Sequence, residues 1–193
     1  MFGFHPFILI CWIAFWTYWF ISAINTKSNK SGSRSVFLGL RLGIALIILL
    51  LIRSGHIKSV FWSRVFAGHS PTTSNMILQT IGTIILVCGL LFAVWARVHL
   101  GRNWGTPMSH KKDPELITSG PYHYVRHPIY TGIIFAFIGT AIAVGLVWIV
   151  LLVISGGYFV YSAFKEEKYL EKQFGESYKE YKKNSKMLIP FIL

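Results

Sequence analysis

Apolar residues fall along this chain in long blocks separated by short polar stretches. Residues 36–52 contain one charge, Arg41, and neither 77–96 nor 129–164 contains any. Blocks of this length match the hydrocarbon core of a bilayer, which takes about 20 helical residues to cross. Residues 6–24 form a first block. They lie where a cleaved leader would, but they lack a basic start and carry Trp12, Trp16 and Trp19, so they read as a retained helix. The uncharged run 129–164 is too long for one span and just long enough for two, which predicts a tight helical hairpin turning near Gly145. The pattern therefore predicts an all-α integral membrane bundle of about five transmembrane helices, over 6–24, 36–52, 76–98, 129–144 and 146–164, in a single domain covering 1–193.

The polar stretches refine this outline. Residues 99–128 form the longest loop, with Gly101, Gly105, Pro107, Pro114, Gly120 and Pro121, and long ordered loops commonly carry function. In the tail, 165–193, Tyr169, Leu170, Phe174, Tyr178 and Tyr181 recur every three to five residues, which predicts an amphipathic helix at the interface. Gly39 and Gly43 form a small-xxx-small pair that would let another helix approach closely.

Composition agrees with a membrane protein: 53% of residues are hydrophobic and 13% charged, against about a quarter charged in soluble domains. A net charge of +12 would suit a polyanionic partner, but the cations flank the apolar blocks and form no aromatic-studded polar domain, so nucleic acid is not expected. With five spans, one side holds Lys27, Lys30, Arg34, Arg97, Arg102, Lys111, Lys112, Arg126 and seven more cations from Lys165 to Lys186. The other holds Arg53, Lys58 and Arg64. That asymmetry places the N-terminus outside and the tail in the cytoplasm. The short chain, with no targeting signal, suits a prokaryotic cell membrane. His56 and His69, with Trp62 and Phe66, have no metal-ligand spacing and read as interfacial anchors, while Cys11 and Cys88 lie in apolar segments as packing residues.

All seven acidic residues lie after position 112. Two clusters exceed what topology requires: residues 120–132, containing Tyr122, Arg126, His127, Pro128 and Tyr130, and Glu166-Glu167 followed by Phe174-Gly175 and Tyr178. Pro128 suits a first helical turn with His127 just before it, so free backbone N–H groups beside Arg126 and His127 would suit the carboxylate of an amino-acid-like ligand or, equally, lipid headgroups. Two adjacent carboxylates where a helix leaves the bilayer are costly unless an ammonium, a diol or a salt bridge satisfies them. A hairpin would bring the two clusters together at its open end.

Arg126-His127-Pro128-Ile129-Tyr130-Thr131-Gly132, an apolar hairpin, Glu166-Glu167 and Phe174-Gly175-Glu176-Ser177-Tyr178, with Leu100-Gly101-Arg102-Asn103-Trp104 before and Leu188-Ile189-Pro190-Phe191 after, resemble the isoprenylcysteine carboxyl methyltransferase family over roughly 98–193. Arg-His-Pro-x-Tyr-x-Gly alone also occurs in phospholipid methyltransferases and resembles a segment of sterol reductases. The resemblance implies that S-adenosylmethionine binds in a cytoplasmic pocket closed by the loop and the tail, leaving as S-adenosylhomocysteine, and that a lipophilic or lipidated substrate enters from the bilayer. By position, Glu115, Leu116, Ile117 and Tyr122 would line the cofactor pocket, His127, Pro128 and Tyr130 would contact the cofactor, and Glu166 and Glu167 would bind its polar groups. Arg126 and Glu167 would be the catalytic pair. Ser162 stands where the eukaryotic pattern has an Arg expected to hold the substrate carboxylate, so the motif speaks more for the cofactor than for the acceptor.

Methyl transfer from a sulfonium needs alignment and exclusion of water rather than a nucleophilic triad. A phospholipid N-methyltransferase is the alternative enzyme. A non-catalytic scaffold or transporter fits less well, because no acidic residue lies inside a span and the charged groups cluster at one predicted site. No Gly-rich dinucleotide fingerprint is present.

Overall fold

Asn75 opens the first long helix of the bundle's centre by accepting, through its side chain, the N–H groups of Ile77 and Leu78. In the computed structural model, which describes residues 4–23, 26, 75–105, 114–145 and 147–189, five α-helices follow in order. They are α1 (His5–Ala23), α2 (Met76–Leu100), α3 (Pro128–Val144), α4 (Val147–Phe174) and α5 (Glu176–Asn184), with 3-10 turns at Gly101–Asn103 and Gly120–His123. The expected span 36–52, the Gly39–Gly43 pair and the anchors His56, Trp62, Phe66 and His69 lie outside the described residues.

Among the described residues there is no strand, only one isolated bridge, and α1, α2 and α4 are each long and apolar enough to cross a bilayer. The chain is an all-α integral membrane bundle. α3 has 17 residues, twelve of them buried, and is the bundle's centre. Its Gly132, Ala136, Gly139 and Ala143 face Gly82, Gly89 and Ala93 of α2. A Cβ on Gly89 would lie 2.6 Å from both Ala136 N and Gly132 O, so these helices meet backbone to backbone, in a register only glycine permits. Such packing suits a bilayer, where close contact rather than water exclusion drives helix association.

α1 adds its aromatic face. Trp12 Nε1 donates to the buried Thr140 Oγ1 at 3.1 Å, and the Trp12 ring packs against Phe137 and Trp148. At the other end, Arg97 of α2 donates Nη2 to the Ser22 carbonyl of α1 at 2.6 Å. The C-terminal ends of α1 and α2 therefore sit together, and Asn75 begins α2 at the opposite end.

The hairpin turns at Gly145, whose φ of 138° suits glycine. One expectation is corrected here. α4 continues past residue 164, so Tyr169, Leu170 and Phe174 belong to it and only Tyr178 and Tyr181 lie on the separate helix α5. α4 runs unbroken from Val147 to Phe174 and breaks only at Gly175, φ 55°. The charges from Lys165 onward mark where the helix leaves the hydrocarbon, but charge does not end a helix when its formers continue to a glycine.

Candidate active site

Three elements meet at the open end of the α3–α4 hairpin. The first is the turn before α3. Pro128 takes the first helical position and His127 the cap, as its missing N–H and fixed φ favour. The second is the tail after α5, which lies across that turn as a short parallel bridge between Val125 and Lys186. Arg126 N–H donates to Lys186 O at 2.8 Å, His127 N–H to Met187 O at 3.1 Å, and Lys186 N–H to Tyr124 O at 3.2 Å. Thr131 Oγ1 donates to Leu188 O at 2.5 Å, and Met187 and Leu188 are buried in the core.

The third element is the Glu166-Glu167 pair on α4. Tyr130 donates its phenol to Glu166 Oε1 at 2.6 Å, and its ring stacks between His127 at 5.4 Å and Phe159 at 4.7 Å. His127, 7% exposed, stands between the carboxylates: Nδ1 is 3.5 Å from Glu166 Oε2 and Nε2 is 3.7 Å from Glu167 Oε1. Nε2 makes no hydrogen bond although it is buried. Glu167, 4% exposed, receives Arg126 Nε at 2.6 Å and Lys182 Nζ at 2.9 Å, whereas the Glu166 side chain retains a quarter of its exposure.

Arg126 does more than pair with Glu167. Its Nη1 also donates to the Lys182 and Ser185 carbonyls, where α5 ends. A guanidinium there satisfies free helix carbonyls and suits the negative end of the helix dipole. Lys182 bridges Glu167 and Glu171, and those two carboxylates, Glu171 foremost, hold its ammonium above the usual range. Tyr181 donates its phenol to the Tyr122 carbonyl at 2.6 Å, and burial pushes that phenol up to about 12. Burial likewise raises the Tyr122 and Tyr178 phenols.

The structure thus brings together Arg126, His127, Pro128, Tyr130, Glu166 and Glu167, with Tyr122 buried in the same core and its carbonyl held by Tyr181. It does not turn the Glu115 side chain toward them: that carboxylate is exposed and accepts from Asn103 Nδ2 at 3.3 Å. Leu116 and Ile117 are half-buried, and Ile117 packs against the core. Sequence reasoning missed Tyr181, Lys182 and Ser185. Tyr181 acts through one side-chain contact and Lys182 through two, to residues far away in the chain, and Ser185 through a backbone carbonyl, for which no residue type is diagnostic.

A phospholipid methyltransferase family profile matches residues 77–177. Protein-S-isoprenylcysteine O-methyltransferase of Schizosaccharomyces pombe is 33% identical over 120 residues, covering 60% of this chain and 51% of that protein. The Dictyostelium discoideum enzyme of the same name is 27% identical over 192 residues, covering 95% and 75%. The Xenopus laevis enzyme is 33% identical over 119 residues, covering 60% and 41%. The match therefore spans about half the length of the fission-yeast relative and less of the frog one. Among solved structures, the eukaryotic intramembrane Ras methyltransferase, isoprenylcysteine carboxyl methyltransferase, superposes with a TM-score of 0.58 at 26% identity, covering 75% of this chain and 52% of that one.

Proposed function

The chain belongs to the phospholipid methyltransferase family, and on that premise we propose that it transfers a methyl group from S-adenosylmethionine to a lipid-like acceptor at the bilayer surface, at a carboxylate oxygen as on prenylcysteine. The observation that carries this reading is the carboxylate pair bracketed by His127. Glu166 is held by Tyr130 and retains exposure, so it offers an anion to a cationic ligand, while the imidazole of His127 beside it turns Nδ1 to Glu166 and Nε2 to Glu167. The residues present fit the cofactor: Glu166, Glu167 and His127 for its polar groups, and Leu116, Ile117 and Tyr122 for its apolar face.

When bound, the cofactor supplies an activated sulfonium methyl, so no group of this chain must generate a nucleophile for an ionised carboxylate. The chain's own tasks are to orient and to keep water out. Tyr130, held by stacking on His127 and Phe159, orients Glu166. Arg126 and Lys182 keep Glu167 ionised and in place, and Arg126 ties that carboxylate to the end of α5. The tail covers the site, with Met187 and Leu188 buried against it. The charge asymmetry of the sequence supports a cytoplasmic side for this end and its site, with the acceptor arriving from the bilayer alongside α4.

One observation favours a second reading, an amine acceptor on a phospholipid. Ser162, one turn before Glu166 on the same face, is buried, neutral and without a hydrogen bond. It supplies no cation for a carboxylate. Titration calorimetry of the detergent-purified chain with S-adenosylhomocysteine tests the cofactor: micromolar affinity is expected, and no heat from protein shown to be folded would refute the methyltransferase reading. Transfer of labelled methyl to S-farnesylcysteine, with phosphatidylethanolamine in parallel, then separates the two acceptors.

A further inference from the structure

The C-terminal end of α2 is built as an anchor. Gly101, φ 54°, gives its N–H to the Arg97 and Val98 carbonyls, and the chain leaves through one 3-10 turn whose last residue is Asn103. Arg97, 3% exposed, donates Nη1 to Gly101 O at 2.8 Å and Nη2 to Ser22 O at 2.6 Å. The guanidinium lies 4.6 Å from the centre of the Trp104 ring, which Trp19 meets edge-on at 5.6 Å. Two helix C-termini thus share one buried cation, with an aromatic face over it.

From this anchor Asn103 reaches twelve residues ahead. Its Oδ1 accepts the Glu115 backbone N–H and its Nδ2 donates to Glu115 Oε2, both at 3.3 Å. A carboxamide presents an acceptor and a donor side by side, so it grips backbone and side chain of one residue at once. The same helix end holds the same loop a second time. His99 Nε2 is 3.1 Å from Ser119 Oγ, and the His99 ring fills the space a Cβ on Gly120, φ 60°, would need. The segment 114–120 is therefore placed by α2 rather than by its own secondary structure.

We propose that Asn103 is a positioning residue for the cofactor. Its clasp sets the register of Glu115-Leu116-Ile117, so that Leu116 and Ile117 present backbone and apolar surface to the cofactor while the Glu115 carboxylate is turned to Asn103 rather than to the ligand. This rests on the reading that these residues line the cofactor pocket. A residue that only stabilised the fold would move melting temperature and all kinetic constants together. A positioning residue moves cofactor affinity alone.

The experiment is calorimetric titration of the full chain with S-adenosylhomocysteine, joined to a methyl-transfer assay, for wild type, Asn103→Asp, Asn103→Ala and the pair Asn103→Asp/Glu115→Gln. Asn103→Asp keeps the bond to the Glu115 N–H but sets two carboxylates face to face. We expect Kd to rise roughly fivefold or more, the scale of one hydrogen bond exchanged for repulsion. The acceptor KM and the kcat at saturating cofactor should stay near wild type. Asn103→Ala, which adds no charge, should shift Kd in the same direction. In the paired variant the new glutamine amide donates to the new aspartate, and affinity should recover to within about twofold of wild type. Wild-type affinity in both single variants overturns the proposal. So does failure of the pair to recover, which would mean that the Glu115 carboxylate itself holds the cofactor. Absence of binding by folded wild-type protein overturns the methyltransferase reading first, and this inference with it.

Discussion

One imidazole between two carboxylates, with a phenol fixed against the outer one, is the smallest unit of the candidate site. Tyr130→Phe removes a single hydroxyl and leaves the stack on Phe159 intact. S-adenosylhomocysteine affinity should fall roughly fivefold, the worth of one hydrogen bond to a charged group, with the melting temperature nearly unchanged. Equal affinity in calorimetry would show that Glu166 needs no holding. Arg126→Met is a harsher change, because it leaves Glu167 buried with Lys182 as its remaining cationic partner and frees the carbonyls at the end of α5. Breaking a buried pair costs about 3 kcal/mol or more, so a drop in melting temperature should accompany loss of cofactor affinity. At this scale much was legible in the sequence: Arg-His-Pro-x-Tyr and Glu-Glu are rare enough in a membrane chain to stand out. What each side chain touches was not, because Lys182 and Tyr181 look like any cation and aromatic of a surface helix.

Among the elements, the closest-packed pair among the described residues is α2 and α3. Gly82, Gly89, Gly132 and Gly139 recur at seven-residue intervals on the two facing helices and bring the backbones together. Gly89→Val would force its side chain into Ala136 N and Gly132 O, where backbone cannot yield cheaply. Overpacking of this kind costs about 1–3 kcal/mol, and thermal melting in detergent should show the loss. The exposed Gly157→Val, whose Cβ would meet nothing within 4 Å, serves as the control and should melt close to wild type. The spacing was present in the sequence, but small residues are common in apolar helices, and the pair that periodicity singled out, Gly39 and Gly43, lies elsewhere in the chain. Helix boundaries were legible to within two residues for α1, α2 and α3, because long apolar runs end at prolines, glycines and charges. The junction at residue 164 was misread because a change from apolar to charged residues resembles a helix end, although only Gly175 breaks the backbone.

Across the whole molecule, the tail is what makes the site one piece. Residues 181–188 bond to Tyr122, Tyr124, Arg126, His127, Thr131 and Glu167, so the C-terminus closes what the hairpin opens. Deleting residues 185–193 should abolish binding of S-adenosylhomocysteine while α1 to α4 keep their helical signal in circular dichroism, and retained binding would make the strap dispensable. The orientation inferred from charge has its own check: Lys179→Cys, on the exposed face of α5, should react with an impermeant maleimide in inverted vesicles and not in intact cells. The reverse pattern would turn the site to the other side. The sequence by itself determined the solvent and the class, since uncharged runs of bilayer length leave the backbone no choice but to satisfy its hydrogen bonds as helices. It also determined where carboxylates can gather, because every one of them lies in the second half of the chain. Only the tertiary structure decided which carboxylate is buried and which keeps some exposure, that Arg126 ties Glu167 to the tail, and that α2 rather than the loop itself places Glu115. Those outcomes depend on distances between elements far apart in the chain, and such distances are set by helix packing that no local pattern encodes.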